Sequence, residues 1–153
     1  MLKIRKGLDS DAEVIFELIN ELAVYENAPD EVTLSLEEFK NDGWGELPKF
    51  RTLVAELNST VVGFALFYSR YSTWKGTTIF LEDFVVKESF RKNGIGQELF
   101  LVLKELAKEE NAGRLEWQVL DWNTPAINFY KKHGSRLDET WLNAKFTFED
   151  LQA

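Results

Sequence analysis

The chain opens on an alternation. Leu2 and Ile4 are apolar, Lys3, Arg5 and Lys6 are not, and a period of two predicts a short half-buried strand. The period then lengthens. Val14, Leu18, Leu22 and Tyr25 recur every three or four residues, which predicts a helix with one buried face, begun by Asp9 or Ser10 as cap and ending near Asn27. Ser35 and Glu38 have the spacing of a capping box for a second, shorter helix that runs out near "NDGWG". "FRTLVAEL", "NST" and "VVGFALFYSRY" read as two strands and their turn. "TTIFLEDFVV", residues 77–86, is apolar nearly throughout and predicts a strand covered on both faces. A strongly periodic helix follows from about Gly94, with Leu99, Val102, Leu103 and Leu106 on one face, and Gly113 lies just past its end. "RLEWQVL" predicts the next strand. Thr124 is placed to cap a helix with Pro125 at its first position and Gly134 past its end. "WLNAKFTF" predicts a final strand.

The predicted order is β-α-α-β-β-β-α-β-α-β. It describes an α+β (mixed α/β) fold, a mostly antiparallel twisted sheet of about six to seven strands with helices on both faces. The chain has 153 residues and no internal repeat or linker, which predicts one domain over 1–153. No run approaches the roughly 20 apolar residues that span a bilayer, and "MLKIRKGLDS" has no apolar segment of the signal-peptide kind. With no cysteine, disulfides and thiolate metal sites are excluded. These features fit a cytoplasmic protein.

Charge narrows the function classes. Eighteen Lys and Arg against 26 Asp and Glu give a formal net charge of −8. That weighs against nucleic acid, which is held through cationic contacts to phosphate. It is compatible with attraction of cationic small molecules and equally with an ordinary acidic soluble protein. No His, Asp and Glu cluster has ligand spacing, so no metal is expected.

"RKNGIG", residues 91–96, is the most pointed local signal. It lies between a buried strand and the start of a long helix, where unpaired N–H groups and the helix dipole favour an anion. Glycines at 94 and 96 let main chain approach a ligand, and Arg91 and Lys92 add charge. A dinucleotide fingerprint needs Gly or Ala where this chain has Leu99, and no Walker loop is present. A phosphate or pyrophosphate of another kind fits, as does a plain glycine-rich turn.

Arg91-Lys92-Asn93-Gly94-Ile95-Gly96 matches R/Q-x-x-G-x-G/A, and in this position the chain resembles the GNAT superfamily of acyl-CoA-dependent N-acetyltransferases. "ELAVYE", "NDGWGELPKF", "YSTWKG", "FLEDFVV", "VLDWN" and "INFYKKHG" extend the resemblance over nearly the whole chain. They are similar to the diamine acetyltransferase branch, which includes spermidine/spermine and thialysine acetyltransferases. The resemblance implies the GNAT fold, acetyl-CoA as co-substrate, direct transfer in a ternary complex, and a homodimer with C-terminal strands at its interface.

It also implies roles. Main-chain N–H groups of Phe84, Val85 and Val86 would polarise the thioester carbonyl, with pantetheine lying along them as an extra strand. Arg91, Lys92, Asn93, Gly94, Ile95, Gly96 and Gln97 would hold the CoA phosphates, and Asn123 and Lys132 would add cofactor contacts. Glu82 would accept the amine's proton. It interrupts an apolar strand, so a raised pKa is expected, with Asp83 on the opposite face as the alternative. Tyr130, a phenol protonated at neutral pH, would return a proton to the CoA thiolate, with Phe129 packing.

For the amine, the resemblance implies a path along Tyr25, Glu26, Glu82, Trp74, Glu116, Trp117, Gln118 and Glu139. The polyamine type carries Asp-Pro before the tryptophan of "YSTWKG". Here Ser72 and Thr73 stand there, as in the thialysine type. Loss of that acid favours a thialysine- or lysine-like amino acid or a short diamine over spermine. Polyamine acetylation, protein or peptide acetylation, and a non-catalytic acyl-CoA-binding module are the alternatives.

Overall fold

In the computed structural model, which describes residues 1–153, the chain separates into two units, Met1–Gln118 and Val119–Ala153. The first holds the sheet. β1 (Leu2–Lys6), β2 (Arg51–Leu57), β3 (Thr60–Ser72) and β4 (Gly76–Val86) pair in that order, each antiparallel to the last, and β5 (Leu115–Trp117) closes the sheet parallel to β4. A parallel neighbour requires a crossover, and α3 (Ile95–Glu109) supplies it.

Each face is covered. α1 (Ala12–Tyr25) and α2 (Leu36–Trp44) bring Ile15, Leu18 and Phe39 onto Val54, Phe64, Leu66 and Val85. α3 brings Leu99, Leu103 and Ala107 onto Leu53, Ala65, Phe67, Ile79 and Leu81 on the other. Ile15, Leu18, Leu99 and Leu103 are fully buried. Burying a side chain of that size contributes roughly 1.5–3 kcal/mol, so these faces bind the helices to the sheet.

The capping box ahead of α2 forms as expected, with Ser35 Oγ accepting from the Glu38 N–H at 3.1 Å and a Glu38 carboxylate oxygen accepting from the Ser35 N–H at 2.8 Å. α1 begins later than expected. Asp9–Asp11 form a 3-10 turn because the Asp11 carboxylate is turned back to Arg5, 2.7 Å away, and to the Leu8 N–H. The fold differs most at the C-terminus. Residues 141–147 form no strand. Thr147 and Asp150 make a capping box that opens α5 (Phe148–Gln152), a signal outweighed in the sequence by the aromatic content of the run. Strand β5 covers only three residues of the expected 114–120. The sheet therefore has five strands, and the order ends α-α.

In the second unit, α4 (Thr124–Lys132) starts one residue beyond its cap. Asn123, not Thr124, is that cap, its Oδ1 accepting from the Ala126 N–H at 3.4 Å. Pro125 lies in the first turn, and Gly134 past the end has φ of 81°.

Candidate active site

The site begins with a fault in the β3–β4 ladder. Leu66 is opposite Asp83 and Phe67 is opposite Leu81, so Glu82 is an extra residue, a β-bulge. Up to the bulge, Phe80 shares a face with its partner Tyr68, their rings 5.6 Å apart. Beyond it, Asp83 shares the face of Leu66, and Val85 that of Phe64. Tyr68, Leu66 and Phe64 alternate along one strand and so lie on one side. Glu82, two residues from Phe80, and Asp83, two residues from Val85, therefore both project to the side covered by α1. Opposite faces were expected from unbroken alternation; the inserted residue cancels that alternation.

The two carboxylates have different surroundings. Glu82 is exposed, and its Oε2 accepts a hydrogen bond from Tyr68 Oη at 3.1 Å. Asp83 is half-buried, and burial, then the charges of Glu82 and Glu26, push it up to about 6. Glu26 follows the last turn of α1, and burial raises its carboxyl as well. Burial, then the charge of Glu82, raises the Tyr68 phenol.

The bulge also marks where β4 loses a neighbour. β5 pairs with Ile79–Leu81 only, whereas the β3 side stays paired to Val86. From Glu82 to Val86 the outer edge of β4 therefore presents main-chain groups to whatever lies beside it. An extended ligand arm can add there as a strand does.

The loop after β4 carries the expected glycine turn. Glu88–Phe90 form a 3-10 turn, Lys92 has φ of 66° and Gly94 φ of 77°. Gly94 is the N-cap of α3, and no side chain caps that end. The first N–H groups of a helix have no intrahelical acceptor, so Ile95, Gly96 and Gln97 open α3 with donors suited to an anion. Arg91 donates from Nε to the Val86 carbonyl at 2.9 Å, and its guanidinium lies 5.9 Å from the Tyr25 ring centroid. The Asn93 amide donates to the Phe90 carbonyl at 3.3 Å. Arg91 and Asn93 thus shape the loop through their own side chains.

Glu26, Glu82 and Asp83 gather at the end of α1 and the bulge, and Tyr25 meets Arg91 of the loop. Glu116 is paired with Arg114 at 2.8 Å. Trp117 packs edge-on to Phe100 at 5.4 Å, and Gln118 after it is exposed. Trp74, 77% exposed, lies at the β3–β4 turn, beyond Gly76, which is itself six residues and roughly 20 Å along the strand from Glu82; it does not join the carboxylates. In the second unit Tyr130 is 7% exposed and Phe129 half-buried, their rings 5.5 Å apart. The tyrosine is the more buried of the two, where the reverse was expected. Lys132 and Glu139 are exposed. Tyr68 was not singled out in the sequence; an alternating strand offers no sign that its hydroxyl meets Glu82 across a bulge. No group of three or more His, Asp or Glu side chains is placed to hold a metal ion.

A sheet that loses β5 at a bulge, a helix start with no side-chain cap after a glycine turn, and carboxylates at the bulge agree with the fold that the sequence resembles. The family model described as "Acetyltransferase (GNAT) family" matches residues 13–135. The thialysine N-epsilon-acetyltransferase of Bos taurus is 41% identical over 141 residues, 87% of this chain and 83% of that protein. The thialysine N-epsilon-acetyltransferase of Sus scrofa is 38% identical over 160 residues, 97% and 94% of the two chains. Among solved structures, an integron cassette protein from the mobile metagenome of V. cholerae superposes with a TM-score of 0.80 at 24% identity, over 99% of this chain and 95% of that one; this likeness is one of fold. The chain belongs to the acetyltransferase (GNAT) family. It is an enzyme, an N-acetyltransferase, and enzymes of this family draw the acetyl group from acetyl-CoA.

Proposed function

We propose that the protein moves the acetyl group of acetyl-CoA to the primary amine of a small cationic substrate, a thialysine- or lysine-like amino acid or a short diamine. The single observation that carries this reading is the convergence of Glu26, Glu82 and Asp83 beside the open edge of β4. Three carboxylates attract an ammonium, and the stretch of β4 beyond its pairing with β5 is where an acyl arm can lie. The names of the two mammalian relatives point to the same substrate class. Ser72 and Thr73 in place of Asp-Pro support a short cation over a long polyamine.

The roles follow from the chemistry. The N–H groups at the start of α3, with Arg91 and Lys92, hold the phosphates of the cofactor, and Asn123 and Lys132 assist. Main-chain donors of Phe84, Val85 and Val86 stabilise the oxyanion formed on attack. A carboxylate of the bulge takes the ammonium proton; the resemblance points to Glu82. Tyr130 gives its phenolic proton to the departing thiolate. With no cysteine in the chain, the usual thiol carrier of an acyl group is lacking, which favours direct transfer in a ternary complex. A homodimer is also proposed, seated on the apolar C-terminal segment, where Trp141, Leu142, Phe146 and Phe148 are all exposed.

The deciding experiment is CoA thiol release from acetyl-CoA with thialysine, lysine, putrescine, spermidine, spermine and a lysine peptide. Thialysine, lysine or putrescine should be turned over best. Preference for spermine would make it a polyamine enzyme, and preference for the peptide a protein acetyltransferase. Binding of acetyl-CoA with no thiol release from any amine would leave an acyl-CoA-binding module.

A further inference from the structure

The face of the sheet that carries Glu82 continues past the bulge toward the β3–β4 turn, and a cation stands on it. Arg70 is two residues from Tyr68 on β3 and so projects to the same side. It is exposed, and its guanidinium lies over the ring of Phe80, 5.2 Å from the centroid. We propose that Arg70 takes the carboxylate of an amino-acid substrate whose side-chain ammonium is held at Glu82, so that the enzyme selects a lysine-like amino acid over a diamine. This rests on the amine-acetylation reading above and narrows its substrate class.

Arg70 is uncommitted. Arg5, Arg51 and Arg114 each hold a carboxylate, whereas Arg70 forms no ion pair. Arg114, on β5 beside the same face, is taken up by Glu116 at 2.8 Å and by the Ser72 hydroxyl at 3.0 Å. Stacking on Phe80 steadies the Arg70 guanidinium and leaves its N–H donors free, and that planar fork matches a carboxylate. The charge of Arg70 also reaches the hydroxyl that meets Glu82. Burial, then Glu82, raise the Tyr68 phenol, and Arg70 works the other way.

The order along the face is acid, aromatic ring, cation. Tyr68 holds Glu82 at one end, the Phe80 ring lies 5.6 Å from the Tyr68 ring, and Arg70 stands beyond it. Tyr68 and Arg70, two residues apart, are separated by roughly 7 Å along the strand. In lysine six bonds of about 1.5 Å join the side-chain nitrogen to the carboxylate carbon, and extended they span about 7–8 Å. The ammonium, the methylene chain and the carboxylate thus meet a carboxylate, a ring and a guanidinium in turn. A diamine of that length brings a second ammonium to the guanidinium, where like charges repel. Attraction and repulsion discriminate in the same direction.

The test is CoA thiol release with three acceptors of one length: lysine, lysinamide, in which the carboxylate is masked, and cadaverine, in which it is missing. The wild type should show a kcat/KM for lysine about tenfold or more above the other two. Arg70→Gln should lower kcat/KM for lysine by about tenfold, through KM with kcat within about twofold, and should leave cadaverine unchanged or improved. Arg70→Glu should reverse the order of lysine and cadaverine. The side chain is exposed, and calorimetry with CoA should find cofactor binding unchanged in both variants. Wild type that uses cadaverine or lysinamide as well as lysine, or Arg70→Gln with the lysine-to-cadaverine ratio unchanged, would overturn the proposal and leave the amine reading standing. No thiol release with any amine would end both.

Discussion

Arg91 lays its guanidinium over the ring of Tyr25, 5.9 Å from the centroid. The loop ahead of α3 is thereby tied to the end of α1, beside Glu26. Arg91→Ala should raise the KM for acetyl-CoA by about tenfold, since both a cation and the loop's brace to Val86 are lost. Arg91→Lys keeps the charge but not the planar stack or the Nε bond, and should recover only part of that. Steady-state kinetics with acetyl-CoA as the varied substrate checks both, and equal behaviour of the two variants would place the effect in charge alone.

Gly94 is glycine for its backbone angle and not for space. Its φ is 77°, and a Cβ added there would meet nothing within 4 Å. Gly94→Ala should destabilise the fold by about 1–2 kcal/mol, the strain of a left-handed non-glycine residue. Gly94→Asn should lose less, because Asn tolerates that region. Denaturant unfolding of both variants gives the ranking, and calorimetry with CoA should show weaker binding in the same order.

Tyr130→Phe removes a hydroxyl from a buried ring while keeping its volume. If the phenol protonates the leaving thiolate, kcat should fall about 10²-fold or more while CoA affinity holds within about twofold. A thioester with a more acidic leaving thiol should be affected less. An unchanged kcat would remove the tyrosine from the reaction.

Asp11 makes stability depend on acid. Its carboxylate is 8% exposed and lies 2.7 Å from Arg5 Nη1, which also reaches Glu56 through Nη2 at 2.7 Å. Burial works to raise its pKa, but the bonds from Arg5 and the Leu8 N–H outweigh it, and the net direction is down. A carboxyl depressed in the folded state stabilises above its ordinary value, about 3.9, and that stabilisation is lost as pH falls through the folded value. Asp11→Asn should therefore unfold more easily at pH 7, by about 2–4 kcal/mol, and the gap from wild type should narrow toward pH 2. Urea titrations at both pH values measure it.

Local chemistry was legible in the chain wherever a few neighbouring residues decide an outcome. Ser35 and Glu38 close a capping box by themselves. The apolar period of α3 marks its buried face, and the glycine turn before it stands where "RKNGIG" placed it. The same reasoning failed at 141–148, where aromatic content suggested a strand and the Thr147–Asp150 box starts a helix. Pairing partners are not local, so strand count and register are weakly encoded in any one segment.

The sequence by itself determined the family, the first four helices and the place of the glycine turn, because these are marked by residues a few positions apart. Tertiary structure alone decided the arrangement of carboxylates. A single residue inserted into the β3–β4 ladder turned Glu82 and Asp83 to one side, and packing against β3 and the end of α1 withdrew only the second from water. Solvation is a property of the folded surroundings, and so therefore is the choice of which acid carries a proton.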